Sequence, residues 1–221
     1  MKFSTTEENY LKAVYYLQVQ QGNVSTNALA AWLQSKPASI TDMMKKLSKK
    51  KLLNYKPYYG FSLTAEGKKA ALSVIRRHRL WEFFLAKKLN FGWDEVHGIA
   101  EELEHVSSKK LIDKLDAYLG YPAFDPHGDP IPDKKGKMHK TNKIPLTHLK
   151  LNTKAKVISI SNPNRELLEL LKEKKLSIGT IVEIKKQFEF DNSLQVMIAS
   201  SKTETITQKL ASLISVSAQE E

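Results

Sequence analysis

The 221-residue sequence contains no cysteine. Disulfide bonds, thiolate metal sites and cysteine nucleophiles are therefore excluded. The sequence also lacks any run of about 18 apolar residues, so it predicts no membrane-spanning helix. Its first twenty residues are charged and amphipathic rather than continuously apolar. We therefore expect no signal peptide and a cytoplasmic protein.

Acidic residues are outnumbered by basic ones. The sequence has 35 Lys and Arg against 24 Asp and Glu, a formal net charge of +11. This excess favours a polyanionic partner, with nucleic acid first and an anionic membrane surface second. A hydrophobic content of 41% is sufficient for a folded core. The length suits one large domain or two unequal ones.

Two of the six histidines fall in one short segment that is also rich in carboxylates. On an α-helix, at about 100° per residue, one face of this segment would carry His97, Glu101, Glu104 and His105. Imidazole nitrogens and carboxylate oxygens suit Mn²⁺, Fe²⁺, Co²⁺, Ni²⁺ or Zn²⁺. The same spacing is typical of an ordinary amphipathic helix with a solvated acidic face, and that alternative stays open.

Residues 1–65 predict a winged helix-turn-helix. Helical patterns run from Thr5 or Thr6 to Gly22, from Thr26 to Leu33 and from Ala38 to Lys50. Two short helices joined by a tight break, with proline at the first position of the second one, are typical of a helix-turn-helix. The segment from Leu52 to Leu63 then predicts a two-stranded hairpin with a basic, aromatic tip.

The predicted DNA surface lies on the last of these helices and on the hairpin. Residues 1–65 contain nine Lys or Arg and three Asp or Glu, a net charge of +6. Small hydroxyl residues allow a helix to approach base edges, while lysines reach phosphates. The candidate contact residues are Lys36, Pro37, Ser39, Thr41, Asp42, Lys45, Lys46, Lys56 and Tyr58. The open alternative is a small helical domain with a solvated basic face.

The middle of the chain predicts three further helices, from Thr64 to about Leu89, from Trp93 to Val106 and from Ser108 to Leu119. On the first of them, His78 and Glu82 are four residues apart and share one face. Such a pair is usually a surface hydrogen bond, but here the next helix could bring a second acid-and-imidazole face against it. The apolar stripe of the last helix predicts a subunit interface in a symmetric homodimer.

The remainder of the chain predicts a linker and a small second module. Residues 121–145 are rich in Pro, Gly, Asp and Lys, which is typical of an extended loop. The scattered His127, His139 and His148 are predicted to be solvated. From about residue 146, short apolar runs and one short helix predict a small mixed or β-barrel module.

Six short segments together indicate one protein family more specifically than any single segment does. They are Glu8-Asn9-Tyr10-Leu11-Lys12, Lys36-Pro37-Ala38-Ser39-Ile40-Thr41, Leu63-Thr64-Ala65-Glu66-Gly67, Arg77-His78-Arg79-Leu80-Trp81-Glu82, His97 to His105, and Asp129-Pro130-Ile131-Pro132. With them the chain resembles the metal-dependent repressors typified by the diphtheria toxin repressor and the manganese transport regulators. The resemblance covers about residues 4–135 strongly and the rest loosely.

The resemblance implies a mainly α fold with a small β module. It places an N-terminal winged helix-turn-helix at residues 1–65 and a helical metal-binding and dimerisation domain at 66–120. A linker at 121–145 then leads to a C-terminal Src-homology-3-like (SH3-like, FeoA-like) barrel at 146–221.

Two separate metal sites are also implied by the resemblance. The primary site would consist of Glu101, Glu104 and His105, with Asn9 donating from the first helix. The second would consist of His78, Glu82 and His97, and Glu166 of the barrel is a candidate further ligand. Glu101 stands where iron-type members have cysteine, as in manganese-type members. Asn9 and Lys12 replace the carboxylates of the manganese-type pattern, and a protonated lysine cannot ligate, so separated sites fit better than a bridged cluster.

The function that the resemblance implies is a cytoplasmic, homodimeric transcriptional repressor of metal-homeostasis genes and not an enzyme. It would bind double-stranded DNA at an inverted-repeat operator, without a membrane partner, when Mn²⁺ or Fe²⁺ is bound. Zn²⁺, Co²⁺ or Ni²⁺ are possible substitutes.

Two other functions remain open. A constitutive winged-helix DNA-binding protein without metal sensing would bind DNA at full affinity without metal. A metal-dependent hydrolase would need an open coordination position beside a general base, and the sequence contains no HExxH motif.

Overall fold

The computed structural model describes residues 3–56, 60–106, 108–139, 142–161, 164–200 and 202–218. The chain divides into two compact units. The first unit comprises Met1–His78, Leu103–Lys109 and Pro132–Met138, and the second comprises Arg79–Glu102, Lys110–Ile131 and His139–Glu221. The domain boundaries expected from the sequence stay predictions.

The first unit contains the predicted winged helix-turn-helix. Its elements are helices α1 (Thr5–Gln21), α2 (Thr26–Trp32) and α3 (Pro37–Lys49) and strands β1 (Leu53–Lys56) and β2 (Gly60–Leu63). The two strands pair antiparallel and form the wing. Val24 and Phe61 exchange two backbone hydrogen bonds of 2.9 Å, which attach the wing to the segment before α2. The fold class expected from the sequence is confirmed.

Local sequence explains why α1 begins where it does. The Ser4 side chain accepts a hydrogen bond from the backbone N–H of Glu7, and the Glu7 side chain accepts one from the backbone N–H of Ser4. This reciprocal capping box satisfies donors that the first helical turn leaves without partners. The helix then buries Leu11 and Val14 completely, together with Ile40 and Leu47 of α3, in the core of the first unit.

Three helices follow the wing. They are α4 (Ala65–Lys88), α5 (Val96–Leu103) and α6 (Lys109–Tyr118). In the second unit, Leu80 packs with Ile112, Leu115 and Ile131 in a small helical core. No helix within the described residues is long and apolar enough to cross a membrane.

The predicted extent of the helix from Trp93 to Val106 was wrong. The observed α5 is shorter, and Val106 donates a 3.1 Å backbone hydrogen bond to Leu103, which closes a tighter turn after the helix. Glu104 and His105 therefore lie in this turn and do not share a helix face with His97. The physical reason is that Glu104 is completely buried in polar contacts of the first unit, which the helical pattern alone does not reveal.

The C-terminal part of the second unit is a six-stranded antiparallel sheet with short helices, in agreement with the predicted small β module. The strand order is β3-β8-β4-β5-β6-β7. The strands are β3 (Ile144–Pro145), β4 (Lys154–Ile160), β5 (Ile181–Gln187), β6 (Leu194–Ile198), β7 (Lys202–Ile206) and β8 (Ile214–Ala218), and the helices are α7 (Arg165–Glu173) and α8 (Gln208–Leu213). Alternate residues such as Val157, Val182 and Val196 face its buried core.

Candidate DNA interface and metal centres

Helix α3 exposes most of the residues predicted to contact DNA. Ile40, Met44 and Leu47 are buried on its inner face. Its outer side exposes Lys36, Pro37, Ser39, Asp42, Lys45 and Lys46, while Thr41 is half-buried. The Thr41 hydroxyl donates a 3.0 Å hydrogen bond to the carbonyl of Pro37. The arrangement is that of a recognition helix anchored by its apolar face, and the individual contacts stay predictions.

One lysine of this surface already has an acidic partner. Lys46 Nζ lies 3.1 Å from Glu7 Oε1, and Lys50 Nζ lies 2.6 Å from the same oxygen. Burial alone would raise the pKa of Glu7, but the hydrogen bonds from Lys50, the Ser4 backbone and Lys46 lower it to about 2. Glu7 is therefore ionised at neutral pH and neutralises part of the positive charge beside α3.

The wing carries an aromatic surface. Tyr55 is 53% exposed, and its ring stacks on that of Phe61 with 5.0 Å between the centroids. Lys56 is the last residue of β1. The predicted contact at Tyr58 lies outside the described residues.

The first unit contains a buried cluster around Glu104. Glu104 Oε1 accepts a 2.6 Å hydrogen bond from Lys12 Nζ, and Oε2 lies 2.7 Å from His78 Nδ1. The Glu104 side chain is 0% exposed and that of Lys12 is 14% exposed. Burial raises the pKa of Glu104, but the adjacent His78 and the charge of Lys12 lower it by more, so its pKa is below the usual value.

A second carboxylate belongs to the same cluster. Glu8 Oε2 lies 2.7 Å from His105 Nδ1, and Glu8 Oε1 accepts a 2.6 Å hydrogen bond from Arg77 Nη2. Arg77 also donates from Nε to the backbone carbonyl of Glu104. The cluster therefore combines two carboxylates, two imidazoles and two cationic side chains. We refer to these six residues as the Glu104 cluster: Glu8, Lys12, Arg77, His78, Glu104 and His105.

The α1 residue beside His105 is Glu8. The family resemblance implies Asn9 as the ligand from α1, and that role stays a prediction. Glu8 and Lys12 are four residues apart and therefore share a helix face, while Asn9 points about 100° away from Glu8. That spacing predicts that Glu8 and Lys12 lie on one face, but it does not indicate which distant residue this face contacts. Glu101 lies in the second unit, so its predicted role in the primary site stays a prediction.

The second unit holds another donor set, centred on the buried Glu82. Glu82 Oε1 lies 3.0 Å from His97 Nδ1, and His97 Nε2 lies 3.7 Å from Glu101 Oε1. The side chains of His97 and Glu101 are 28% and 54% exposed, so solvent reaches this set. Glu82 and His97 supply one carboxylate and one imidazole, donor types that suit Mn²⁺ or Fe²⁺, whereas Glu101 lies beside the other ring nitrogen of His97. We call these residues the Glu82 site.

His127 is buried, contrary to the prediction that it is solvated. Its Nε2 donates a 2.8 Å hydrogen bond to the carbonyl of Trp93, because a carbonyl can only accept. Its Nδ1 lies 3.6 Å from Glu82 Oε2. Asp125 holds the surrounding turn through 2.8 Å and 2.9 Å hydrogen bonds from the backbone of His127 and Asp129. The loop composition suggested exposure, but these bonds fold the loop inward.

The pKa values of His127 and Asp125 are both raised, because the two side chains are buried beside carboxylates. Burial alone would lower the pKa of His127, but the adjacent Glu82 carboxylate raises it to about 9. Burial and the negative charge of Glu82 raise the pKa of Asp125 to about 7. Potential ligand atoms of Glu82, Asp125 and His127 all lie within 4.8 Å of one another. His139 and His148 are exposed, as predicted.

Glu166 also lies in the second unit. It is exposed in the first turn of α7, where the Asn164 side chain caps the helix by accepting a 2.8 Å hydrogen bond from the backbone of Leu167. Its role as a metal ligand stays a prediction.

Helix α6 has apolar residues on two sides. Ile112 and Leu115 are buried in the second unit, whereas Leu111 is 42% exposed and Tyr118 is 66% exposed. Tyr121, just after the helix, is 65% exposed. Neighbouring exposed apolar side chains of this kind are typical of a protein–protein contact surface.

The fold and these residues define a class, that of winged-helix DNA-binding regulators with a helical ligand-binding region. Three family models match the chain. An iron-dependent repressor N-terminal DNA-binding domain matches residues 2–61, an iron-dependent repressor metal-binding and dimerisation domain matches residues 64–133, and a FeoA domain matches residues 144–218.

Individual relatives agree with these matches. The transcriptional regulator MntR of Oceanobacillus iheyensis is 33% identical over 114 residues, 52% of this chain and 77% of that protein. The iron-dependent repressor IdeR of Mycobacterium leprae is 30% identical over 127 residues, 58% of this chain and 55% of that protein. A solved manganese-dependent transcriptional repressor in complex with manganese has a TM-score of 0.87 at 32% identity and covers 96% of this chain and 99% of its own. The chain belongs to the family of the diphtheria toxin repressor and MntR, which are metal-dependent transcriptional repressors.

Proposed function

We propose that this chain is a DNA-binding transcriptional repressor that responds to Mn²⁺ or Fe²⁺ and controls metal-homeostasis genes. The observation that carries the proposal is that an exposed basic recognition helix and an accessible nitrogen-and-oxygen donor set occur in one chain. Its relatives are named manganese- and iron-dependent regulators, which supports the choice of metal. We place this regulator in the cytoplasm and assign it no catalytic activity.

Glu82 and His97 are the residues that would hold the ion, and Glu101 lies beside the other ring nitrogen of His97. A bound divalent cation supplies positive charge that holds carboxylate and imidazole groups of α4 and α5 together. Such an ion shifts a conformational equilibrium only by its differential affinity for the two states, typically about 1–3 kcal/mol. Metal therefore increases DNA binding only if the conformation that binds the ion more tightly is also the conformation that binds DNA.

The regulator is proposed to act as a symmetric homodimer on an inverted repeat. The exposed Leu111 and Tyr118 of α6 support a contact between copies. A two-fold dimer places its two recognition helices on half-sites about one helical turn of DNA apart, or a multiple of it.

The test is DNA selection followed by a metal titration with the whole 221-residue chain. Duplexes are selected from a random pool in Mn²⁺, and the enriched duplex is then titrated in Mn²⁺, anaerobic Fe²⁺, Zn²⁺ or chelator. We expect an inverted repeat whose affinity falls at least about tenfold in chelator, which corresponds to about 1.4 kcal/mol of coupling. Undiminished binding in chelator would instead identify a constitutive DNA-binding protein.

A further inference from the structure

The Glu104 cluster already contains the positive charge that a metal ion would bring. Its two carboxylates, Glu8 and Glu104, each have a cationic partner at 2.6 Å, Arg77 and Lys12 respectively. The formal charges of these four side chains therefore cancel. A divalent ion added to the same place would leave an excess of positive charge in a buried environment.

Lys12 also competes directly for the oxygen that a metal would need. Its ammonium group lies 2.6 Å from Oε1 of Glu104 and donates a hydrogen bond to it. The same oxygen lies 3.6 Å from His105 Nε2. An ammonium nitrogen has three donors and no lone pair, so it cannot be a ligand itself. A metal ion bound by Glu104 and His105 must therefore displace Lys12 from a carboxylate that is completely buried, and separating a buried ion pair is strongly unfavourable.

We infer that Lys12 acts as a tethered cation in place of a metal ion at Glu104 and His105. Its ammonium group holds α1 to the turn that follows Leu103 without metal. The metal response of the chain then depends on the Glu82 site, a consequence that rests on the proposed function. This assignment departs from the primary site that the family resemblance implies for Glu104 and His105.

The inference predicts how many ions the chain binds. Mn²⁺ bound per chain is measured by equilibrium dialysis and elemental analysis for wild type, His105→Ala, Lys12→Leu and the Lys12→Leu/His105→Ala double variant. We expect wild type and His105→Ala to bind equal amounts. Lys12→Leu should bind an additional ion per chain, and the double variant should lose it.

Lys50→Leu is the matched control, because it also removes a lysine that pairs with a glutamate of α1 at 2.6 Å but lies outside the cluster. It should leave the ion count unchanged. Lys12→Arg keeps the charge and should resemble wild type. Circular dichroism checks folding, and Lys12→Gln replaces Lys12→Leu if the latter does not fold.

Two results would overturn the inference. One is a lost ion in His105→Ala compared with wild type, because metal would then bind beside Lys12. The other is a folded, uncharged Lys12 variant that gains no ion, because Lys12 would then not be what excludes the metal. Chelator-insensitive DNA binding by wild type would refute the proposed function alone, since the ion count decides the role of Lys12 independently.

Discussion

The ammonium group of Lys12 lies 2.6 Å from a carboxylate oxygen of Glu104, although 92 residues separate them in the sequence. The contact joins α1 to the turn after α5 within the first unit. It explains why Glu104 is buried without being neutral, since an adjacent positive charge favours the ionised carboxylate.

Removing the charge of Glu104 should destabilise the first unit. We expect Glu104→Gln to lower the free energy of unfolding by about 3 kcal/mol, because Lys12 is left in a largely buried place without its counter-charge. Thermal and denaturant unfolding of Glu104→Gln, Lys12→Leu and the double variant measure the coupling. The double variant should lose less free energy of unfolding than the two single variants lose in sum. Additive losses would show that the pair does not interact energetically.

Lys45 should contribute to DNA affinity through phosphate contact. Lys45→Ala should weaken binding to every DNA sequence and reduce the slope of log affinity against log salt by roughly one unit. The effect of Lys46→Ala should be smaller, because Lys46 already pairs with Glu7 at 3.1 Å. Fluorescence anisotropy at several salt concentrations measures both, with the exposed Lys154→Ala as control. An unchanged slope for Lys45→Ala would place the DNA surface elsewhere.

Glu7 should stabilise the DNA-binding part in a pH-dependent way. At pH 7, Glu7→Gln should cost about 1 kcal/mol through the lost ion pairs with Lys46 and Lys50, because the amide oxygen of glutamine can still accept the capping hydrogen bond from Ser4. The pKa of Glu7 is lowered from 4.5 to about 2, because the lysine and backbone hydrogen bonds outweigh the effect of burial. A pKa that is lower in the folded than in the unfolded chain stabilises the fold at pH values above the unfolded pKa. This stabilisation is lost as the pH falls through the folded pKa.

The measurement is the unfolding temperature of wild type and Glu7→Gln across this pH range. Their difference should be greatest near neutral pH and should shrink below pH 4.5 towards pH 2. The exposed Glu189→Gln serves as the control. A difference that stays constant with pH would show that the ionised form of Glu7 is not what stabilises α1.

An acidic residue on the outer side of α6 should prevent dimer formation. Leu111 is 42% exposed beside buried neighbours, so Leu111→Glu leaves the core unchanged but places a charge in the proposed interface. Sedimentation velocity should show a shift from dimer to monomer. Phe190→Glu, at a fully exposed site, should remain a dimer. A wild type that is monomeric with and without metal would contradict the prediction.

The metal response should depend on His97 and on the geometry of the ion. We expect Mn²⁺ or Fe²⁺ to activate DNA binding fully, and Zn²⁺ to bind tightly but activate poorly, because Zn²⁺ prefers four ligands. His97→Ala should lose the response to Mn²⁺, whereas His148→Ala, at an exposed position, should keep it. DNA titrations with each ion measure both effects. A full response in His97→Ala would move the sensing site away from Glu82.

Local sequence patterns were sufficient to predict the architecture. The helical spacing before Gly22, Pro37 at the start of α3 and the alternating strands of the C-terminal module each depend on residues a few positions apart. Backbone preference and the burial of one face determine such elements. The winged helix-turn-helix, the helical region and the small β module follow from these features.

The identity of contacting side chains depended on the tertiary structure. Asn9 and Glu8 differ by one position, yet only the path of the turn after α5 determines that His105 meets Glu8. His127 is polar and lies in a loop-like sequence, but it is buried where its side chain donates a hydrogen bond to the distant carbonyl of Trp93. The pairing of Lys12 with Glu104 likewise has no local signal, because a helical period specifies which residues share a face and not which distant group that face will contact.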